Sequence, residues 1–195
     1  MGNKDGRAWR IGGEAEVAWI QKRVEVSFAV TSAIPPIFEA YATLELPGSG
    51  DHLSASPLEH PDHHNAGVLA VLSQHSTGQP WWTGYLDTGG ADIVFHDVRK
   101  VRPGPTDAWY VLVEAGPEQA GGWREREHWQ GPLPDLMFPA DRSWLVSTLW
   151  DDDWTCIGGS RGLVDAFLTH PDLGHRVREV DPSLEDATPP GHTAI

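Results

Sequence analysis

The stretch RSWLVSTLWDDDWTCIGGSRGLVDAFLTH, Arg142 to His170, constrains this chain more than any other part of it. Side chains alternate sides along a strand. Trp144, Val146 and Trp150 therefore share one face of RSWLVSTLW (142–150), and Leu145 and Leu149 share the other. With apolar residues on both faces, that strand belongs inside the sheet. WTCIG (154–158) is the next strand, and the turn Asp151-Asp152-Asp153, set between two tryptophans, joins the two as a hairpin. Ser160 is a good N-cap for a helix that turns Leu163, Val164, Phe167 and Leu168 inward, and Pro171 stops it.

The remaining segments extend this pattern. Val17, Ile20, Val24 and Phe28 recur at helical spacing between Glu14 and about Ser32, with Glu14 and Glu16 at the dipole-favoured start and Pro35-Pro36 at the end. IFEAYATLEL reads as a short helix from Ile37 turning into a strand over about Tyr41 to Leu46. Residues 47–65 are rich in Pro, Ser, Gly and His and read as a loop, and 66–75 as a short apolar helix. WWTGYLD (81–87) and ADIVFHDV (91–98), joined by Thr88-Gly89-Gly90, read as a hairpin, and AWYVLVEA (108–115) as a further strand. Pro117 opens a helical turn, and DLGHRVREV (172–180) adds another turn or two of helix. The predicted fold is α+β: a mainly antiparallel meander of about five to six strands with helices before and after it. Residues 1–181 form one domain, and the Pro-rich, polar residues 182–195 form a flexible tail.

Composition narrows the class of function. The 195-residue chain is 39% hydrophobic and carries a net charge of −14. Such a surface repels nucleic acid and anionic membranes and attracts basic partners. No apolar run is long enough to span a bilayer, and the first residues lack a secretory apolar core. Met1-Gly2 is not followed by the Ser or Thr at position 6 that myristoylation needs; Gly6 stands there. Cys156 is the only cysteine, so no disulfide forms within the chain and a cytoplasmic setting is expected. Arginine (11) far outnumbers lysine (3), as in a GC-rich, actinobacterial genome. Ten tryptophans supply buried area and surfaces suited to sugars or protein partners.

Three stretches resemble chemical sites. Gly158-Gly159-Ser160-Arg161-Gly162 matches G-x-S-x-G between a strand and a helix, the setting of an activated serine. Only 35 residues follow Ser160, with His170, His175 and His192 as possible bases, so the acid and histidine that should come later lack their strands. Ser160 is therefore expected to be a structural cap. His60-Pro61-Asp62-His63-His64 resembles the H-x-H-x-D-H metal box of the metallo-β-lactamase superfamily, with Leu58 in place of the first histidine. His60, His63 and Asp62 are the metal ligands to expect if any metal binds, but no metal and no cofactor are predicted. Asp151, Asp152 and Asp153 could offer oxygens to a cation or charges to a basic partner. Trp81 and Trp82 face opposite ways, one toward the core and one more exposed, and with Tyr85, Trp150 and Trp154 could line a groove. Glu114 and Glu118 flank a strand end, and Cys156, near carboxylates, is a core residue rather than a nucleophile.

The order of elements resembles the SMI1/KNR4 (SUKH) superfamily, in which many bacterial members are immunity proteins against secreted toxins. The resemblance rests on a leading amphipathic helix (EAEVAWI, 14–20), a proline-led segment (IPPIFEAY, 34–41), a glycine turn (PGSGD, 47–51) and a strand meander ending in a helix (GLVDAFLTH, 162–170). Pro47-Gly48-Ser49-Gly50 stands where the family usually has Asn-Gly-Gly. The resemblance implies an immunity role, and the strong acidity, the acidic aromatic-flanked turn, the abundant Trp and the incomplete catalytic constellations lead to the expectation of a non-enzymatic protein that neutralises a basic toxin by protein–protein binding. The residues expected to do so are Asp151, Asp152, Asp153, Trp150 and Trp154, with Trp82 and Tyr85. The alternatives are a small hydrolase or metal-dependent enzyme using Ser160 or the His60–His64 loop with Asp151–Asp153, and a small-ligand or sugar binder in a Trp-lined groove.

Overall fold

The computed structural model describes residues 2–4, 6–20, 27–47, 61–87, 95, 97–104, 108–120, 123, 133–149 and 153–190. Strands β1 (Gly2–Lys4) and β2 (Arg7–Trp9) form a small hairpin, followed by helices α1 (Glu14–Val17) and α2 (Val30–Ala33) and strand β3 (Ala40–Glu45). Helix α3 (Pro61–Gln74) leads to β4 (Trp81–Leu86), and β5 (Tyr110–Ala115), the short α4 (Pro117–Ala120), β6 (Leu136–Pro139) and β7 (Leu145–Ser147) come next. Strand β8 (Trp154–Gly159), helix α5 (Arg161–Leu168), a 3-10 turn (Gly174–Arg176) and β9 (Val177–Val180) complete the order. Seven strands make one antiparallel sheet in the order β5-β4-β6-β7-β8-β3-β9. The fold is α+β, as the strand and helix patterns predict.

Both faces of this sheet are covered, as the doubly apolar Trp144–Leu149 run requires. Against one face α3 and α5 set Val68, Leu72, Leu163 and Phe167 over Ala42, Leu44, Val146 and Ile157. The Trp81 and Trp144 rings meet there edge to face at 4.9 Å. Trp144 Nε1 donates to Ser76 Oγ (3.1 Å), so the indole is satisfied as well as buried. Against the other face the N-terminal segments set Val17, Ile20, Val30 and Ile34 over Tyr41, Leu112, Leu136 and Leu145. Trp9, Phe95 and Trp123 close a smaller cluster around Tyr85, Val111 and Val113. The outer edge of β5 is also occupied: Glu114 N–H donates to Arg10 O (2.9 Å) and Gly12 N–H to Leu112 O (2.7 Å). Pairing an edge in this way removes a template for aggregation.

Several local expectations change. The long leading helix does not form; α1 ends at Val17 and the chain bends at 27–29 before α2. Serine chemistry accounts for the bend: Ser27 N–H donates to Ser32 Oγ (2.9 Å) and Ala29 N–H to Ser27 Oγ (3.2 Å), bonds that compete with helix hydrogen bonds. Residues Ile37–Glu39 are turns rather than helix, tied by Phe38 N–H to the Tyr41 hydroxyl at 2.7 Å. Helix α3 begins at Pro61, inside the expected loop, because proline is suited to the first helical position. Of the hairpin partner expected over 91–98, residues 91–94 and 96 lie outside the described residues. Both sides of β4 are filled, by β5 and β6, and residues 95, 97 and 98 are not in a strand.

The sheet gains two strands that sequence patterning passes over. LMFP (β6) is short and bracketed by prolines, and VREV (β9) follows a helix closely enough to look like its continuation. The strand expected over 142–150 is regular only at Leu145–Ser147. Residues 182–190, expected to be part of a loose tail, are partly packed. Ala187 and Thr188 are buried, and Ala187 N–H donates to Phe28 O (2.9 Å).

Candidate functional site

The acidic hairpin is built as the sequence implies: β7 and β8 pair with Leu145 opposite Gly158 and Ser147 opposite Cys156. Beyond the paired residues, the Thr148 and Thr155 hydroxyls bond at 2.8 Å and hold the two arms together. Thr148 N–H donates to Asp135 O (2.7 Å), and Asp135 Oδ2 accepts from Leu86 N–H (2.7 Å), which ties the base of the tip to β6 and β4. On the other side Leu46 N–H donates to Asp153 O (2.8 Å), extending the β3–β8 ladder by one bond. Asp153 is half-buried, while Trp154 is buried with its ring 6.4 Å from that of Phe28. Trp150, Asp151 and Asp152 lie outside the described residues.

Arg176, Glu45 and His64 meet at the same end of the sheet. The Arg176 guanidinium is buried and donates to Glu45 O (2.9 Å). Burial, and secondarily the nearby Arg176 charge, push the His64 imidazole down to about 3, so it is neutral at any ordinary pH. His64 Nδ1 and Asn65 Nδ2 are buried without a hydrogen-bond partner among the described residues. Sequence reasoning places His64 only in a surface metal-box-like loop and does not single out Arg176. A buried polar residue carries no mark in a single sequence until the helix that buries it is placed.

Ser160 has the place of a nucleophile but the geometry of a cap. Its Oγ accepts from Leu163 N–H (3.3 Å), and its backbone is relaxed and extended, φ −67° and ψ 157°. A nucleophile elbow needs a strained serine. The glycines before it serve packing: a Cβ on Gly158 would lie 2.6 Å from Phe38 Cδ2, and one on Gly159 2.5 Å from Leu163 Cδ2. Arg161 N–H donates to Glu39 (3.0 Å), and the Arg161 guanidinium pairs with Glu179, so the α5 start is held by carboxylates.

The histidine-rich stretch divides on the helix. His63 is exposed on α3 and His64 is buried, as successive helical residues must diverge by about 100°. His60 and the Asp62 side chain lie outside the described residues. Among the described residues there is no group of three or more His, Cys, Asp or Glu that could hold a metal ion.

Trp82 and Tyr85 do not line an open groove. Both are buried and face opposite sides of the sheet, because both of its faces are covered. Arg10 lies over the Trp82 ring at 4.9 Å, and the Tyr85 hydroxyl donates to Ala120 O at 3.2 Å. Trp81 is equally buried, so the pair is not split into one core and one exposed ring. Cys156 is buried in the sheet. Among the described residues no helix is long and apolar enough to cross a membrane. Compared with protein-family models, with curated proteins and with solved structures, the chain matches none.

Proposed function

We propose that this chain is a non-enzymatic, acidic binding protein of the immunity type, acting in the cytoplasm to neutralise a basic toxin by protein–protein contact. What supports the reading is the firmly held base of the acidic hairpin: the Thr148–Thr155 and Leu46–Asp153 bonds anchor the two arms that Asp151 and Asp152, outside the described residues, join in the sequence. A net charge of −14 adds long-range attraction for a basic partner, which raises the rate of encounter. Ser160's role as a helix cap favours binding over hydrolysis. The sequence resemblance to the SMI1/KNR4 (SUKH) superfamily is what suggests the immunity role in this proposal, although the leading helix here is only Glu14–Val17.

The test is growth rescue. A basic secreted toxin encoded beside this gene is expressed in bacterial cells with and without this chain. Rescue by the wild type, and loss of rescue in an Asp151→Asn, Asp152→Asn double variant, is expected. Undiminished rescue by the double variant removes the tip from the interface, and absence of rescue by the wild type removes the immunity reading.

A further inference from the structure

We propose that the surface made by Phe28 and Leu184 is a docking site for a partner segment that presents a leucine-sized apolar side chain among arginines or lysines. This inference rests on the binding role proposed above and gives it an apolar anchor point. Phe28 and Leu184 are each 47% exposed, large losses of apolar burial in a fold whose sheet is covered on both faces. The segments bearing them are joined by the bond from Ala187 N–H to Phe28 O, three residues after Leu184. Buried Trp154 forms part of the floor, its ring beside that of Phe28. Trp154 directly follows Asp153, so this patch adjoins the acidic hairpin.

Two matching turns hold the patch in shape. Asp181 Oδ1 accepts from Ser183 N–H (2.8 Å) and Oγ (2.7 Å), and Asp186 Oδ1 accepts from Thr188 N–H (2.9 Å) and Oγ1 (2.7 Å). Leu184 N–H donates to Asp181 O (3.0 Å), which sets Leu184 at the crest between them. Arg178 donates to Thr188 O (2.8 Å) and fastens the second turn to β9. Turns already held by these bonds lower the ordering cost of binding. Charge complementarity selects the occupant: Asp181, Glu185 and Asp186 frame Leu184, and the hydrogen bonds from Ser183 hold the Asp181 carboxyl below the usual range, so it stays charged. Exposed apolar side chains within an acidic frame match a basic segment with an apolar centre, the arrangement of an interface anchor inside a polar rim.

The experiment titrates two synthetic peptides into the isotope-labelled full chain and follows backbone amide resonances. One peptide has four arginines and two leucines, and the control has glycines in place of the leucines. The leucine peptide is expected to move the resonances of Phe28, Trp154 and residues 181–188 and to bind about tenfold more tightly than the control. Leu184→Ala should keep the wild-type melting temperature, Phe28→Ala should lower it by about a few degrees through the lost contact with Trp154, and both should reduce the leucine peptide to the control's affinity. If both peptides bind equally and move other resonances, the docking site is overturned while the acidic binding role stands. If neither binds, both are overturned. Concentration-dependent self-association that is lost in Leu184→Ala would overturn the basic occupant and assign the face to a second copy of the chain.

Discussion

His64 gives the chain a pH dependence that can be calculated. In the unfolded chain its imidazole protonates near 6.5; in the fold, burial first and the Arg176 charge second lower that to about 3. As pH falls below 6.5 the unfolded state takes up a proton that the folded state refuses. Stability is therefore full above about pH 6.5 and falls as pH drops, until the folded imidazole also protonates near 3. The slope within the window is about 1.4 kcal/mol per pH unit, which gives a loss of about 2 kcal/mol by pH 5 and at most about 5 kcal/mol by pH 3. Carboxylates also titrate in this range, so the measurement is a difference. Urea unfolding of the wild type and of His64→Gln, run at pH 7, 6 and 5, should show the gap between the two shifting by about 2 kcal/mol in favour of the variant at pH 5. An imidazole resonance that stays neutral down to at least pH 4 would agree. Parallel pH profiles for the two proteins, or a measured His64 pKa near 6.5, would refute the argument.

The G-x-S-x-G stretch yields two paired tests. Ser160→Ala should cost about 0.5–2 kcal/mol through loss of the cap, and a serine-directed fluorophosphonate should label neither protein; labelling of the wild type alone would restore the nucleophile. Gly158→Ala should destabilise by about 1–3 kcal/mol because its Cβ would collide with Phe38 and Ile34, whereas Gly162→Ala, whose Cβ meets nothing nearer than 3.8 Å, should be neutral or stabilise by up to about 1 kcal/mol. Equal losses at both glycines would contradict that division. Trp144→Phe should cost about 1–3 kcal/mol by chemical denaturation, from the lost bond to Ser76 and the gap beside Trp81.

Part of this protein was written in local pattern. The hairpin around Asp151–Asp153, the cap at Ser160 and the buried strand at Trp144 depend on period-two alternation, turn chemistry and capping, all of which act between near neighbours in the chain. The α+β class followed from the same signals. The rest depended on distant segments. Trp82 and Tyr85 have the sequence of a half-exposed strand, yet the residues that cover them come from as far away as Arg10 and Ala120. β9 exists because β3 offers it an edge, with Leu44 opposite Val177, and VREV by itself holds no preference strong enough to announce that. Phe28 fitted a helical stripe until two serines bent the chain and left its ring beside Trp154 at the surface. His64 became a buried neutral base only when α3 packed against α5 and the sheet and came within reach of the Arg176 charge. Burial is a property of what folds over a residue, and in an antiparallel sheet whose neighbours are separated by up to a hundred residues and more, only the tertiary structure supplies it.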